Sequence, residues 1–285
     1  MLDAHPAPAA PAPPPAAIPV SPIAESSAPQ LTSAPTALLT AARTLLPVLE
    51  AGRALDARTI REAMTSAFGA SDADGAWLWK DSYEAAEAAL VLFLQRYGRA
   101  MRREAGGSPG GPTAMLRMLE TLAALEPSQT RRSEQQLKYQ QFSTPLPLAY
   151  AALQAAMIRP GGVGLEPSAG PGLPAGVARL ALGNGAGGAL HLNEIAAVRA
   201  GLLAELFPGC TVTRHNAESI RDRLPALRPT VVLMNPPFSA SPGVERIRHH
   251  VDLHHIRSAF SMLPPGGRLV AISSSHCVPG DAAWA

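Results

Sequence analysis

The chain has 285 residues, of which 47% are hydrophobic and 16% charged, so most of it can bury a core. Its formal net charge of +2 permits a nucleic-acid partner without requiring one. The N-terminus lacks the basic and apolar regions of a secretory signal. The longest apolar run, Ala88 to Leu94, is far shorter than the roughly 20 residues of a membrane helix. Together with two cysteines that form no CxxC pair, this composition predicts a cytoplasmic protein with no membrane association.

Residues 1–36 alternate Ala, Pro and Ser with hardly a charged or aromatic side chain. Such a segment cannot bury enough apolar surface to offset its ordering entropy. We therefore predict a disordered, partly polyproline arm that precedes the folded protein.

Residues 37–127 have a helical pattern and are predicted to form an all-α region. Asp56 is the predicted N-cap of one helix. The strongest helical pattern begins at Asp81, after which apolar residues recur at spacings of three and four. These residues are Tyr83, Ala86, Leu90, Phe93, Leu94, Tyr97 and Met101. The opposite face carries Arg96, Arg99, Arg102 and Arg103. This basic face either contacts phosphates or is a solvated helix surface.

After Phe142, short apolar runs alternate with helical stretches, a pattern typical of a parallel α/β sheet. The predicted strands are Val163–Glu166, Ala189–Glu194, Thr211–His215, Val231–Met234 and Arg268–Ser273. The predicted helices are Gly176–Leu182, Ala197–Phe207 and Val244–Leu263. We therefore predict an α/β core over residues 128–285, with a doubly wound, Rossmann-like, mostly parallel sheet.

Ligands of a doubly wound sheet bind beyond the carboxyl ends of its strands. The glycines in the turn Glu166-Pro167-Ser168-Ala169-Gly170-Pro171-Gly172 allow a ligand to approach the backbone closely, although many such turns only connect a strand to a helix. Glu194 ends the second strand, where a carboxylate can accept hydrogen bonds from both hydroxyls of a ribose. Asn216 follows the third strand and is placed to touch the edge of an adenine ring. For Glu194 the alternative is an ordinary surface glutamate.

The fourth strand runs directly into Asn235-Pro236-Pro237-Phe238. Two prolines end the strand and fix a rigid turn, which can direct the Asn235 side-chain oxygen and the Pro236 carbonyl at one point. Two such acceptors would stabilise the positive charge that grows on an aromatic amino group as it attacks a methyl sulfonium. Phe238 offers a flat face on which an extruded base can stack. The alternative is a strand stopped by proline and followed by a core phenylalanine.

These residues resemble the amino-methyltransferases that use S-adenosylmethionine, whose catalytic motif is Asn/Asp-Pro-Pro-aromatic. The resemblance implies that the turn of residues 166–172 is the cofactor loop. It also implies that Phe142-Ser143-Thr144-Pro145 helps to hold the methionine part of the cofactor, since a helix starting at Thr144-Pro145 has free N–H groups suited to a carboxylate. The order of these motifs is that of gamma-class methylases acting on adenine N6 in DNA. DNA is therefore the expected partner.

The similarity is closer still to the methylase region of bacterial methylase–helicase proteins of the strawberry-notch type. It extends to the helical region, over Phe68–Ala73 and Trp77–Lys80. In those proteins a helicase region follows the methylase region, so a downstream helicase region or partner is expected. The methyltransferase sheet usually gains two further strands after the fifth, so we expect this core to be incomplete at its C-terminal end.

Other interpretations stay open at this point. The same motif occurs in enzymes that methylate guanine N2 in RNA or a glutamine amide in protein. A module that binds cofactor or DNA without catalysis, in a larger methylase–helicase assembly, is a further alternative. No metal site is predicted, because the histidines of residues 249–255 lack a supporting Cys cluster or HExxH motif. The oligomeric state and the DNA target sequence do not follow from the sequence.

Overall fold

The computed structural model describes five stretches of the chain. These are residues 33–107, 110–127, 143–182, 189–237 and 251–273. Most of the predicted arm, as well as Phe142 and Phe238, lies outside them. Within the described stretches, no helix combines the length and the apolar character that crossing a membrane requires.

The N-terminal part is helical, as predicted. Its helices are α1 (Ala34–Glu50), α2 (Ala57–Phe68), α3 (Trp79–Gly106) and α4 (Gly111–Ala123). Helix α1 begins at Ala34, inside the segment 1–36 for which disorder was expected. Pro35 explains this early start, because its fixed φ suits the first turn of a helix, where no N–H donor is needed. The predicted limit of the arm at residue 36 is therefore too late.

Side-chain caps determine where α2 and α3 begin. Asp56 caps α2 as predicted, since its Oδ1 accepts a hydrogen bond from the backbone N–H of Thr59 at 2.7 Å. Helix α3 begins at Trp79, two residues before the predicted start at Asp81. The Oδ2 atom of Asp81 reaches back and accepts from the backbone N–H of Leu78 at 2.8 Å. Asp81 thus closes the first turn of α3 instead of starting the helix.

The α/β part is built on five parallel strands in the order β3-β2-β1-β4-β5. The strands are β1 (Val163–Glu166), β2 (Ala189–Asn193), β3 (Thr211–Thr213), β4 (Val231–Met234) and β5 (Arg268–Ala271). This order is that of a doubly wound, Rossmann-like sheet, and it confirms the predicted fold class. Strand β3 ends two residues before the predicted His215, because the N–H of His215 donates to the side chain of Asn193 at 2.9 Å.

Helices cover both faces of the sheet. They are α5 (Leu146–Ala156), α6 (Leu173–Leu182), α7 (Ala197–Leu206), α8 (Ile220–Arg223) and α9 (Val251–Phe260). Helix α6 begins three residues before the predicted Gly176. Helix α9 lies within the predicted helix Val244–Leu263, whose first seven residues are outside the described stretches.

Strand side chains alternate between the two faces and enter two apolar clusters. Leu165, Val232 and Met234 pack with residues of α8 and α9 on one face. Leu192 and Leu233 belong to the larger cluster on the other face, which also contains the buried residues of α1 to α4. The helical region and the sheet therefore share a core, and residues from Thr32 onward form one compact unit. The predicted boundary between residues 127 and 128 falls at the end of a described stretch and stays a prediction.

Candidate active site

The turn after β1 is shaped by two glycines with different surroundings. Gly170 has a φ of +54°, and a Cβ added there would meet nothing within 4 Å. Gly172 has a φ of +98°, and a Cβ there would lie 2.7 Å from both Leu203 and Phe207 of the α7 region. Gly172 therefore serves close packing of the turn against this region. Gly170 leaves open space at the edge of the sheet, where a ligand can approach the backbone.

Asn193, the last residue of β2, joins three strand ends through its side chain. Its Nδ2 donates to the carbonyl oxygens of Pro167 at 2.8 Å and His215 at 2.9 Å. Its Oδ1 accepts from the Thr213 hydroxyl and from the His215 N–H, both at 2.9 Å. The side chain is 1% exposed, so it connects the ends of β1, β2 and β3 from within. Asn193 has a structural role, whereas the sequence motif Asn193-Glu194 assigned a function to Glu194 alone.

Glu194 lies directly beyond β2, one residue past the strand that it was predicted to end, and it is 5% exposed. Its Oε2 accepts from the Gly170 N–H at 3.0 Å, and its Oε1 accepts from the Ala196 N–H at 2.8 Å. Each carboxylate oxygen keeps a second lone pair. Glu194 thus holds the turn after β1 against the start of α7. It is not the ordinary surface glutamate of the alternative interpretation.

Glu166 ends β1 beside Glu194 and is 2% exposed. Burial, and after it the charge of Glu194, raises the pKa of Glu166 well above its usual value. Burial also raises the pKa of Glu194, but the Arg199 guanidinium and two backbone N–H groups act in the opposite direction. The carboxyl pair therefore holds its proton preferentially on Glu166.

Asn216 caps the short 3₁₀ turn Ala217–Ser219, and its Oδ1 accepts from the Glu218 N–H at 3.0 Å. This bond uses the side-chain oxygen that was predicted to be available to an adenine ring. The cap makes Asn216 a residue that shapes the turn after β3. Its proposed contact with the cofactor is not tested by this geometry and stays a prediction.

Asn235 and Thr144 connect two motifs that are far apart in the sequence. The Nδ2 of Asn235 donates to Oγ1 of Thr144 at 3.0 Å, across 91 positions of the chain. Asn235 is half-buried, whereas Thr144 is 5% exposed. Because Nδ2 points at Thr144, the Oδ1 atom lies in the same amide plane but on the opposite side of the Cβ–Cγ axis, directed away from Thr144. The next residues, Pro236 and Pro237, are buried and half-buried respectively.

Helix α5 starts at Leu146, later than the predicted Thr144-Pro145, and Pro145 occupies its N-cap position. The first N–H groups of a helix have no acceptor inside the helix. In α5 these belong to Leu146 and Leu148, because Pro147 at the second position carries none. The helix end therefore offers fewer donors to an anion than the sequence pattern implied, since two of the four positions with no acceptor in the helix, Pro145 and Pro147, are prolines.

The other predicted site residues divide between described and undescribed positions. Ser143 and Ser168 are half-buried, and Ala169 is buried. The aromatic residues Phe142 and Phe238 lie outside the described residues, so their predicted roles stay predictions. Among described residues, no group of His, Cys, Asp and Glu is arranged to hold a metal ion.

Two charged residues near this edge were missed by the sequence motifs. Arg199, in the first turn of α7, pairs with Glu84 of α3 at 2.8 Å. The two positions are 115 residues apart. Neither belongs to a recognisable motif, and the pairing depends on how α3 packs against the sheet. No local signal in the sequence could have indicated it.

Comparisons with known proteins give few matches. No protein-family profile matches this sequence, and no curated protein matches it. Among solved structures, the chain is similar to TrmN from Thermus thermophilus, with 21% identity and a TM-score of 0.39 over 61% of this chain and 67% of that one. It is also similar to PH1948 from Pyrococcus horikoshii, for which an RNA methyltransferase activity has been proposed. That match has 19% identity and a TM-score of 0.41 over 56% of this chain and 74% of that one. Similarity at this level identifies no family for the chain.

Proposed function

We propose that this chain binds S-adenosylmethionine and transfers its methyl group to an exocyclic amino nitrogen, with adenine N6 of DNA as the favoured target. The observation that carries the proposal is the hydrogen bond between Asn235 and Thr144. It joins the segment expected beside the methionine part of the cofactor to the motif expected beside the amine. A methyl transfer needs these two sites to be adjacent.

The groups at this edge fit the cofactor chemically. The Glu194 carboxylate can accept from ribose hydroxyls through its remaining lone pairs. A buried carboxyl such as Glu166 suits a neighbouring ammonium group, because a positive charge favours its ionised form. The N–H groups of Leu146 and Leu148 suit a carboxylate, helped by the dipole of α5. The open space at Gly170 leaves room for a ligand against the backbone.

When bound, S-adenosylmethionine supplies an electrophilic methyl group on a sulfonium. The residues of the chain act on the amine. Asn235 Oδ1 and the Pro236 carbonyl would each accept a hydrogen bond from one amino N–H. This polarises the nitrogen and stabilises the positive charge that develops on it. The amide orientation required for this is fixed by the donation from Nδ2 to Thr144. The mechanism needs no strong base, since the proton can leave after transfer.

The choice of adenine in DNA rests on the resemblance to gamma-class and strawberry-notch-type methylases. In this proposal the base is turned out of the helix and stacks on Phe238. A downstream helicase region or partner would open or move the duplex. Guanine N2 in RNA and a glutamine amide in protein present the same kind of amino nitrogen, so they are the alternative substrates.

The test compares the wild-type chain with Asn235→Ala, using S-adenosylmethionine with a labelled methyl group and DNA, RNA or protein acceptors in parallel. Loss of one preorganised hydrogen-bonding group should slow transfer roughly 100- to 1,000-fold. Cofactor affinity, measured by calorimetry with S-adenosylhomocysteine, should change less than about twofold, since the Asn235 side chain acts on the amine. Thr144→Ser keeps the hydroxyl and serves as the matched control.

Each outcome has a clear meaning. Labelling of DNA by the wild type but not by the Asn235 variant supports the proposal, whereas labelling of RNA or protein alone reassigns the substrate. Equal transfer by both proteins removes the catalytic role of the motif. Cofactor binding with no transfer to any acceptor would instead favour a non-catalytic binding module.

A further inference from the structure

A buried row of charged residues connects the helical region to the end of β2. Glu84 of α3, Arg199 of α7 and Glu194 after β2 are 7%, 6% and 5% exposed. Charged side chains are rarely buried to this degree unless they are paired. Arg199 pairs directly with one of the two glutamates, since its Nε donates to Glu84 Oε1 at 2.8 Å. Its positive charge acts electrostatically on the other, Glu194.

The location of Arg199 is unfavourable without these partners. It lies in the first turn of α7, where the helix dipole disfavours a positive charge. Burial works against its charged form, but Glu84 and Glu194, followed by Glu87, raise the pKa of Arg199 above its usual value. Carboxylates from α3 and from the end of β2 therefore offset the cost of burying the charge of Arg199.

Glu194, in turn, needs a nearby positive charge to remain ionised. It is surrounded by acidic groups, with Glu166 on β1 and Glu84 on α3. A buried carboxyl among other carboxyls takes up a proton unless a cation is close. Arg199 is the largest influence that favours the charged form of Glu194. Glu87 and Asp81 of α3 also interact electrostatically with Arg199.

We propose that Arg199, anchored by Glu84 of the helical region, is a positioning residue that keeps the Glu194 carboxylate charged and directed at the ribose of the cofactor. This inference rests on the proposed function, because it gives Glu194 its ribose. It assigns a role to the helical region, whose helix α3 supplies the anchor. On this basis the cofactor site includes α3 and does not end at the Rossmann-like sheet.

The test measures the affinity for S-adenosylhomocysteine by calorimetry from pH 5.5 to pH 9. The double variant Glu84→Gln/Arg199→Met removes the buried pair without leaving one charged partner alone, which protects the fold. Arg199→Lys keeps a positive charge at the same position. Arg96→Met is the matched control, since Arg96 pairs with Glu50 at 2.8 Å on the exposed face of α3.

In the double variant, we expect the pH at which affinity is half-maximal to rise by at least one unit, with an affinity loss of about tenfold below the new midpoint. Raising the pH should restore most of the affinity, because Glu194 then ionises without Arg199. Arg199→Lys and Arg96→Met should keep the wild-type midpoint. The ligand's own titration is common to all variants and cancels in the comparison.

An unchanged midpoint and affinity in the double variant would overturn the inference. An affinity loss that is equal at every pH would also overturn it, because such a loss reflects packing alone. A wild-type chain that binds no S-adenosylhomocysteine at any pH contradicts the proposed function itself, and the inference fails with it. These results differ in the wild-type measurement, so the two failures can be told apart.

Discussion

Two halves of the carboxyl edge of the sheet are built differently. The half proposed to bind the cofactor, here called the cofactor half, comprises the ends of β1, β2 and β3, where Asn193 makes four side-chain hydrogen bonds and Glu194 makes two. The half proposed to hold the amine, here called the target half, comprises the end of β4 and the segment before α5. Among described residues, the end of β4 and the segment before α5 are joined by the side-chain hydrogen bond between Asn235 and Thr144. The cofactor half is fixed by a network, whereas the target half depends on two prolines and one bond.

Alanine substitution should therefore destabilise the fold by very different amounts at two asparagines on the same edge, Asn193 and Asn235. Asn193→Ala removes four hydrogen bonds and leaves buried backbone groups unpaired, which should lower the free energy of unfolding by roughly 4 to 5 kcal/mol. Asn235→Ala should cost less than about 1 kcal/mol. Urea denaturation measures both. Similar stability losses in the two variants would remove the distinction between the halves.

Two glycines in the turn after β1 provide the next comparison. Gly172→Ala combines an unfavourable positive φ with a methyl group 2.7 Å from Leu203 and Phe207, and it should cost about 3 kcal/mol. Gly170→Ala has a positive φ but open space around the methyl group, and it should cost about 1 kcal/mol. Thermal denaturation ranks the two variants. The opposite ranking would show that α7 does not restrict the turn as described.

Helix α9, which packs against β4, contains a buried histidine that should make the stability of the fold depend on pH. His255 is 3% exposed, and both of its ring nitrogens lack a hydrogen-bond partner among described residues. Burial lowers its pKa from 6.5 to about 4, a direction that Glu218 and Asp252 oppose and His254 supports. The unfolded chain therefore binds a proton at a higher pH than the folded one.

Stability should accordingly be complete above pH 6.5 and fall by about 2 to 3 kcal/mol as the pH drops from 6.5 to 4. His255→Phe should remove most of this dependence in urea denaturation at a series of pH values. His254→Gln, on the exposed side of the same helix, should keep most of the dependence, because burial and not His254 is the main cause of the shift. If the free energy of unfolding of His255→Phe still falls steeply at acid pH, other groups are responsible for the loss of stability.

The smallest expected effect concerns Thr144, which accepts the hydrogen bond from Asn235 in the target half. Thr144→Val keeps the shape of the side chain but removes the acceptor for Asn235 Nδ2. Methyl transfer should slow about tenfold, equivalent to about 1.4 kcal/mol in the barrier, because the amide is less well oriented. Thermal stability should hardly change. Thr144→Ser should transfer at nearly the wild-type rate. If Thr144→Val does as well, the hydrogen bond does not orient Asn235.

The parts of the fold that could be predicted are those with local signals. The strand ends at Glu166 and Met234 follow from apolar runs that meet prolines, and the Asp56 cap involves a partner three residues away. The early start of α1 was missed because the composition around Pro35 resembles the arm. The role of Asp81 was misread because the residue it caps, Leu78, is apolar and has no helix-start signal of its own.

For the site, the sequence indicated which strand ends matter but not how they are connected. Glu194 and Asn235 were identified from their positions after strands. The Arg199–Glu84 pair near Glu194 and the contact of Asn235 with Thr144 are determined by tertiary packing. The pairing of Arg199 with Glu84 and the contact of Thr144 with Asn235 span 115 and 91 positions, distances at which no periodicity or spacing rule applies.

The contact between Thr144 and Asn235 has a consequence for how a damaged or incompletely folded chain would behave. A form that retains β1 to β3 keeps the hydrogen bonds of Asn193 and Glu194, and it is expected to hold the nucleoside part of the cofactor. If the proposed function holds, this form lacks the acceptor for the amine until β4 has docked beside the start of α5. Methyl transfer would then report complete assembly whereas cofactor binding would not, and the ratio of the two would measure the fraction of chains that have finished folding.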